Sequence, residues 1–411
     1  MTKSSAAKKC ILFVDDEPHV LNALRRMLHS RREQWDMLFV PSGAHAFAQV
    51  IDRKIDVIIS DMRMPHMDGS ELLRRVSQIS PGTVRIVLSG QASDKPMVDV
   101  VHYAHQYLAK PCEADHLIGT IERACILHDL LARSRLQQLV ARLETLPSMP
   151  DLYRQVHQEL ASEDASLHRV GAIIEQDPAM SGKILQMVNS AFFATARKVS
   201  QPTEAVTMLG LETIGNLVLT AGIFNQVDPK IYREFQLERL WLHTIHTSEI
   251  ARRIASREHR PDLHQDSAAT AGLLHDIGVL VLAGEKPTLY REVISIAQKE
   301  DLTLAQAEHR LLGTTHTEIG AYLLGLWGLP NEVILAIVHH VACNEEAEEE
   351  PTLACVLHVA DILEQELSTP ATPTRILELD RYALQRLGEK RLETWRRCAE
   401  GVMQMQAASI S

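Results

Sequence analysis

Three carboxylates, Asp15, Asp16 and Asp61, and two other polar residues, Ser89 and Lys110, have the types needed for phosphoryl transfer. Transfer to a carboxylate requires a nucleophile, a divalent cation that neutralises the approaching negative charges, and donors for the transferred oxygens. Asp61 can be the nucleophile, and Asp15 and Asp16 can hold Mg²⁺, which prefers oxygen ligands. Ser89 can hydrogen-bond the phosphoryl group and Lys110 can pair with it, each contact contributing about 1.5–3 kcal/mol.

A second set of residues, in the C-terminal half, has the donor types of a transition-metal site. His275 and Asp276 are adjacent, and such a pair can bind a catalytic cation when neighbouring helices add further donors. Each histidine could instead be a core residue that hydrogen-bonds the backbone, because the chain has 20 histidines and accidental pairs are common. We favour that alternative for His246, His264 and His309. The further candidate donors are His243, His316, His339, His340 and Asp361.

The elements that position the first set alternate between short apolar runs and amphipathic stretches. Runs such as Ile11-Leu-Phe-Val and Val84-Arg-Ile-Val-Leu are separated by helical patterns, which is typical of βα units around a parallel sheet. We therefore predict a doubly wound α/β domain over residues 8–128. Four polar residues lie at or just past the ends of these runs, where ligands bind in such folds. They are Asp15, Asp61, Ser89 and Lys110.

The rest of the chain reads as helical. Apolar residues recur at three- and four-residue steps from His116 to about Leu146, which predicts a helical connector over residues 129–146. This connector could transmit rotation or pair two chains in a homodimer, and an ordinary surface helix with one buried stripe is an equal alternative. No strand-like alternation recurs after Pro150, so we predict an all-α domain over residues 147–345 with a helical extension over 346–411.

The first domain resembles the receiver domains of two-component response regulators. The matching segments are Phe-Val-Asp15-Asp16-Glu, Asp61-Met-Arg-Met-Pro-His-Met-Asp-Gly, Leu-Ser89-Gly and Tyr107-Leu-Ala-Lys110-Pro. The resemblance implies that a sensor histidine kinase phosphorylates Asp61, that Asp16 binds Mg²⁺ directly, and that Asp15 acts mainly through water. It also implies that Ser89 and Tyr107 form the switch that responds to phosphorylation.

The second domain resembles HDOD domains, a branch of the HD metal-dependent phosphohydrolase superfamily. The matching segments run from Asp177 to Ala191, from Gln201 to Gly210, and from Ala271-Gly-Leu-Leu-His275-Asp276-Ile-Gly278 through Trp327-Gly-Leu-Pro330. The resemblance implies a divalent transition metal, iron or manganese, in a core ligand set, with candidate ligands for a second metal. The core set is His243, His275, Asp276 and Asp361, and the further candidates are His316, His339 and His340.

Two departures from a related branch weaken an enzymatic interpretation. The HD-GYP phosphodiesterases, which hydrolyse cyclic di-GMP, have a lysine directly after His-Asp-Ile-Gly, where this chain has Val279. After its paired histidines that branch has Gly-Tyr-Pro, where this chain has Val341-Ala-Cys-Asn. HDOD domains are generally regarded as regulatory modules. We therefore expect a response regulator that signals through a weakly hydrolytic or non-hydrolytic output domain, with a metal-dependent cyclic dinucleotide phosphodiesterase as the alternative.

Composition narrows the expected partners and location. A net charge of −11 opposes nucleic-acid binding, because Lys and Arg must neutralise the phosphates. A transcription factor is therefore the third hypothesis, after the response regulator and the phosphodiesterase. The apolar run from Ile11 to Val14 is too short for a signal-peptide core or a membrane span, which predicts a cytoplasmic protein. The 6 cysteines form no C-x-x-C pair and are expected to be reduced and buried. We also expect the output domain to bind a protein partner, whose identity the sequence does not indicate.

Overall fold

The computed structural model describes most of the chain as two compact units, with the main boundary between Gln138 and Leu139. The side chains of Ser89 and Tyr107, and the predicted connector beyond Ala132 apart from Leu136, lie outside the described residues, as does most of the Asp177–Ala191 segment. The described residues are 8–89, 104–110, 112–132, 136, 151–160, 162, 164–177, 180–181, 184–185, 201–261, 263–341, 351–368 and 381–410.

The N-terminal unit is built on a five-stranded parallel sheet with the strand order β2-β1-β3-β4-β5. Its strands are β1 (Lys9–Val14), β2 (Trp35–Val40), β3 (Val57–Asp61), β4 (Val84–Ser89) and β5 (Gln106–Ala109). Its helices are α1 (Pro18–Met27), α2 (Gly43–Asp52), α3 (Gly69–Ile79) and α4 (Ala114–Ala132), with a 3₁₀ turn at His29–Arg31. The predicted doubly wound α/β class is confirmed.

Strand register brings the polar residues of this unit to one edge of the sheet. The strands are continuous apolar runs because both faces of the sheet are covered, and Ile11, Leu12 and Phe13 are fully buried. Val14 of β1 pairs with Ser60 of β3, so Asp15 and Asp61 each stand one residue beyond a paired position. On the other side of β3, Ser89 pairs with Ala109, which places Lys110 just past the end of β5.

All regular secondary-structure elements among the described residues of the C-terminal unit are helices, which confirms the predicted all-α class. The helices that begin before residue 260 are α5 (Asp151–Leu160), α6 (Leu167–Glu175), α7 (Pro202–Leu209), α8 (Leu211–Gln226), α9 (Pro229–Glu234) and α10 (Leu237–Glu258). The remaining helices are α11 (Gln265–Leu274), α12 (Ile277–Glu285), α13 (Pro287–Glu300), α14 (Leu304–Leu312), α15 (His316–Leu326), α16 (Asn331–His339), α17 (Leu353–Leu367) and α18 (Arg381–Ile410).

Helix α10 is central to the core of this unit. Its apolar residues Ile250 and Ile254 join a buried cluster that includes Val359 of α17 and Trp395 of α18. Helix α18 is interrupted at Gly388, where φ is 69°. The C-terminal helices α17 and α18 are therefore part of the same core as α10.

One apolar stretch of the described residues, Gln265–Glu285, has the length and hydropathy of a membrane span. It comprises α11 and α12, and 78% of its apolar window is buried inside the unit. Its position in the core accounts for its hydropathy, because a core helix is apolar on most sides.

Candidate phosphoryl-acceptor and metal sites

The acceptor site of the N-terminal unit is organised by one lysine between two carboxylates. The Nζ atom of Lys110 lies 2.6 Å from Asp61 Oδ1 and 2.7 Å from Asp15 Oδ2. Burial opposes the charge on Lys110, but the hydrogen bonds to Asp15 and Asp61 outweigh it and raise its pKa above the ordinary value. Asp15 is buried, whereas the Asp61 side chain keeps 14% of its surface exposed. Asp61 is therefore fixed in place but accessible to a phosphodonor.

A tight loop holds Asp61 at the start of this site. The backbone N–H of Arg63 donates to Asp61 Oδ2 at 3.1 Å, and the N–H of Gly69 donates to the Met62 carbonyl at 3.0 Å. A Cβ atom on residue 69 would lie 2.2 Å from the Asp61 carbonyl oxygen, so only glycine allows this approach. Asp68 caps α3 by accepting from the Glu71 N–H at 2.8 Å. The predicted ligand Asp16 directly follows Asp15 and is partly exposed.

The second site is a buried cluster of imidazole and carboxylate groups in the C-terminal unit. His243 of α10 and His275, in the turn after α11, have Nε2 atoms 3.2 Å apart. Asp361 Oδ1 of α17 lies 3.1 Å from His243 Nε2, and Asp276 Oδ2 lies 3.4 Å from His275 Nε2. His243, His275 and Asp276 each offer one donor atom, all within 4.8 Å of one another, and Asp361 forms a second such group with His275 and His340. The predicted core ligands are thus brought together in two adjoining donor groups, although His243 and Asp361 are 118 residues apart along the chain.

A third donor group adjoins the first through Asp276. Its Oδ1 atom lies 3.3 Å from His316 Nε2, while its Oδ2 atom faces His243 at 3.6 Å. Asp276, His316 and His340 each offer one donor atom, all within 4.8 Å of one another. Two donor groups therefore share one carboxylate. His339 belongs to none of the donor groups found among the described residues.

The four histidines of the cluster are oriented alike, because each Nδ1 atom has a partner. His275 Nδ1 lies 2.8 Å from the Gly272 carbonyl, and His340 Nδ1 lies 2.8 Å from the Ile337 carbonyl. The other two contacts are His316 Nδ1 to Glu308 Oε2 at 2.7 Å and His243 Nδ1 to Glu364 Oε2. In metal sites, a ligating histidine usually donates its second ring N–H to a carboxylate or carbonyl in this way. The arrangement leaves every Nε2 atom available to a cation.

Buried negative charge also favours a cation in the cluster. Burial would raise the pKa of Glu364, but the charge and hydrogen bond of His243 lower it to about 2. Burial likewise opposes ionisation of Asp361, yet its hydrogen bond to His243 holds its pKa below the ordinary value. The Glu308 carboxylate raises the pKa of His316 to about 10 despite burial. Protons on histidines thus compensate the carboxylates, and a metal ion can replace those protons.

Two residues that support the cluster escaped sequence reasoning. Glu308 is fully buried, and Glu364 is 2% exposed. Glu364 stands three residues after Asp361, a spacing that places both carboxylates on one face of α17 and could have indicated its role. His246, which we expected to be an ordinary core residue, donates from Nδ1 to Glu364 Oε1 at 3.0 Å. No comparable signal in the sequence connects Glu308 to His316.

A glycine beside the cluster sets the distance between α12 and α15. A Cβ atom on residue 278 would lie 1.9 Å from the His316 carbonyl oxygen, so Gly278→Ala should force the two helices apart. We expect this variant to lose about 3 kcal/mol of unfolding free energy, measured by urea denaturation of the C-terminal unit. Gly284→Ala is the control, because its Cβ would meet only Val227 Cγ2, at 3.9 Å. Equal stability of the two variants would contradict the proposed close packing.

Comparison with known families assigns both units. The family model for the response regulator receiver domain matches residues 11–122, and the model for the HDOD domain matches residues 146–343. Among solved structures, an HDOD domain protein of unknown function from Geobacter sulfurreducens covers 67% of this chain and 92% of its own, with a TM-score of 0.51. At 21% identity, that likeness supports the fold alone.

Two curated relatives each match a little more than half of the chain. The hydrogenase transcriptional regulatory protein HoxA of Cupriavidus necator is 31% identical over 230 residues, which is 56% of this chain and 44% of that protein. An uncharacterized protein of Treponema pallidum is 26% identical over 242 residues, 58% of this chain and 46% of that protein. The chain thus spans less than half the length of these relatives. It contains a response regulator receiver domain followed by an HDOD domain.

Proposed function

We propose that this protein is a phosphorylation-controlled response regulator that accepts a phosphoryl group on Asp61 and signals through an HDOD domain with a divalent metal centre. The observation that carries the receiver half is the position of Lys110, whose Nζ atom contacts Asp61 and Asp15 at 2.6 and 2.7 Å. Asp15, Asp16 and Asp61 would hold Mg²⁺, an ion that prefers carboxylate oxygens. A sensor histidine kinase in the cytoplasm would be the phosphodonor.

The observation that carries the metal half is the common orientation of four buried histidines. His243, His275, His316 and His340 each have an Nδ1 partner and an Nε2 atom directed to the Asp276 and Asp361 carboxylates or to one another. Mixed imidazole and carboxylate donors suit iron or manganese. The carboxylates of Glu308 and Glu364 support the assignment, because they fix two of the rings in the metal-ligating orientation.

Signalling would begin at the phosphorylated end of the sheet. The phosphoryl group would gain contacts from Ser89 and Lys110, each worth about 1.5–3 kcal/mol, which is enough to bias a two-state surface. We propose that this change passes from Ser89 and Tyr107 through α4 and the connector, and alters how the HDOD domain binds a protein partner.

Beryllofluoride, which mimics a phosphorylated aspartate, tests this route. We expect it to slow amide hydrogen exchange in β4, β5 and α4 of the full chain and to change exchange in the connector. The control is Asp61→Asn, which should show neither change. Unaltered exchange in the wild-type connector, with protection confined to the loop after Asp61, would rule the route out.

A second candidate function is metal-dependent hydrolysis of a nucleotide phosphate. Its support is Asp276, whose two oxygen atoms face different donor groups, an arrangement suited to a pair of cations. Such cations would act as Lewis acids on phosphate oxygens. Against it stands Val279, which is 1% exposed in the core at the position where HD-GYP enzymes have a lysine. We therefore propose regulation as the main role and hydrolysis as the alternative.

A further inference from the structure

An open cleft lies on the HDOD unit between the end of α10 and the middle of α18, apart from the metal cluster. Its volume is about 820 Å³, within the range of roughly 300–1,000 Å³ common for small-ligand sites. Arg253, which lines the cleft, lies ten residues after His243 on α10, and this spacing corresponds to a rise of about 15 Å along the helix. Helix α18 also lies beyond the residues that either family model matches. The polar and charged groups that line the cleft are Arg253, Ser256, Arg257, His259, Thr394 and Arg397.

The charge of this cleft is opposite to that of the whole chain. The chain carries a net charge of −11, yet three arginines and one histidine line the cleft, and no Asp or Glu is among the described residues that line it. Arg253 pairs with Glu249 at 2.7 Å, and Arg397 pairs with Glu393 at 2.5 Å while keeping 72% of its side chain exposed. Arg257 is exposed and makes no hydrogen bond or ion pair within the described part of the chain. The cleft therefore has guanidinium groups available to an anion.

The walls of the cleft are held rigidly by the core beneath them. Trp395 of α18 is fully buried and donates from Nε1 to Glu258 Oε1 of α10 at 2.7 Å. Glu258, the acidic residue next to Arg257 in the sequence, is therefore already paired, because its Oε1 atom accepts from Trp395 and its Oε2 atom lies 3.5 Å from Arg391 Nε. The close packing of α10 and α18 fixes the backbone positions from which the arginines of both helices extend, which reduces the entropic cost of binding.

We propose that this arginine cleft binds a small ligand carrying two or more linked phosphate groups. Guanidinium groups bind phosphate oxygens through planar paired hydrogen bonds, and three of them on two helices match several phosphate oxygens at once. The hydroxyl groups of Ser256 and Thr394 supply further donors. The described lining residues include no Phe, Tyr or Trp, so recognition rests on the phosphates and not on stacking of a base.

Calorimetric titration of the full-length protein with inorganic pyrophosphate, without added divalent cations, tests the proposal. We expect saturable binding that Arg257→Ala and Arg397→Ala each weaken about 10-fold or more, because each removes a charge-assisted contact. Arg396→Ala is the matched control. Arg396 is the neighbour of Arg397 on α18, but its side chain pairs with Glu366 at 2.7 Å outside the cleft. Its replacement by alanine should therefore change the affinity for pyrophosphate less than twofold.

The double variant His275→Ala, Asp276→Ala separates this site from the metal cluster and should bind pyrophosphate as tightly as the wild type. Loss of binding in that variant would assign the pyrophosphate to the metal cluster and overturn the proposal. So would the absence of saturable binding at millimolar pyrophosphate, or an equal loss in Arg396→Ala and Arg257→Ala. None of these outcomes bears on phosphorylation of Asp61, because the two sites share no residue.

Discussion

Asp61→Asn is expected to abolish phosphorylation of this protein by acetyl phosphate or by its kinase. The amide cannot attack phosphorus as a carboxylate does, and no other carboxylate of the site combines access with the contact to Lys110. Asp15 also contacts Lys110 but is 1% exposed. Incorporation of radiolabelled phosphate into the full chain, quantified per mole of protein, measures the effect.

Asp68→Asn is the matched control for this variant. Asp68 lies in the same loop and is exposed, and its side chain caps α3 by accepting from the Glu71 N–H. Asparagine caps a helix about as well as aspartate, so the loop should keep its shape and its full labelling. Undiminished labelling of Asp61→Asn would show that another residue accepts the phosphoryl group. Loss of labelling in both variants would contradict a role specific to Asp61, because it would attribute the loss to the loop that the two residues share.

The double substitution His275→Ala, Asp276→Ala should remove the metal from the HDOD domain. These residues contribute to all three donor groups, and Asp276 faces both His243 and His316. Removal of an indirect supporting residue alone costs 10- to 100-fold in metal affinity, so loss of two direct ligands should cost on the order of 100-fold or more. Elemental analysis of protein purified with no added metal should find iron or manganese in the wild type and little in the variant.

His264→Ala, Asp266→Ala provides the matched control, since both residues are exposed at the start of α11 and belong to no donor group found among the described residues. It should retain the wild-type metal content.

With added Mn²⁺ or Fe²⁺, the wild type should hydrolyse cyclic di-GMP more slowly than about 1 s⁻¹, because Val279 cannot contact a phosphate oxygen as lysine would. A metal-free wild type would refute the metal centre, and faster turnover that disappears in the double variant would establish the hydrolase instead.

The sequence by itself was sufficient for the two fold classes, and it predicted the principal polar residues of both sites. Buried parallel strands require long apolar runs, so the runs of β1, β3 and β4 were visible, and Asp61 could be placed at a strand end from its position after Val57-Ile-Ile-Ser. Likewise, the adjacent His275-Asp276 pair indicated a metal site before any geometry was known. Local patterns of this kind survive in sequence because neighbouring residues share one element.

Only the tertiary structure decided how those residues combine. His339 and His340 are adjacent, but only His340 enters the donor groups found among the described residues. The choice depends on the direction of each side chain, because successive residues of a helix differ in direction by about 100°. The contact of Glu308 with His316 depends on how α14 meets the start of α15. The arginine cleft arises because Arg257 and Arg397, 140 residues apart, lie on helices packed through Trp395. Sequence spacing carries no record of such contacts, because packing between distant helices sets them.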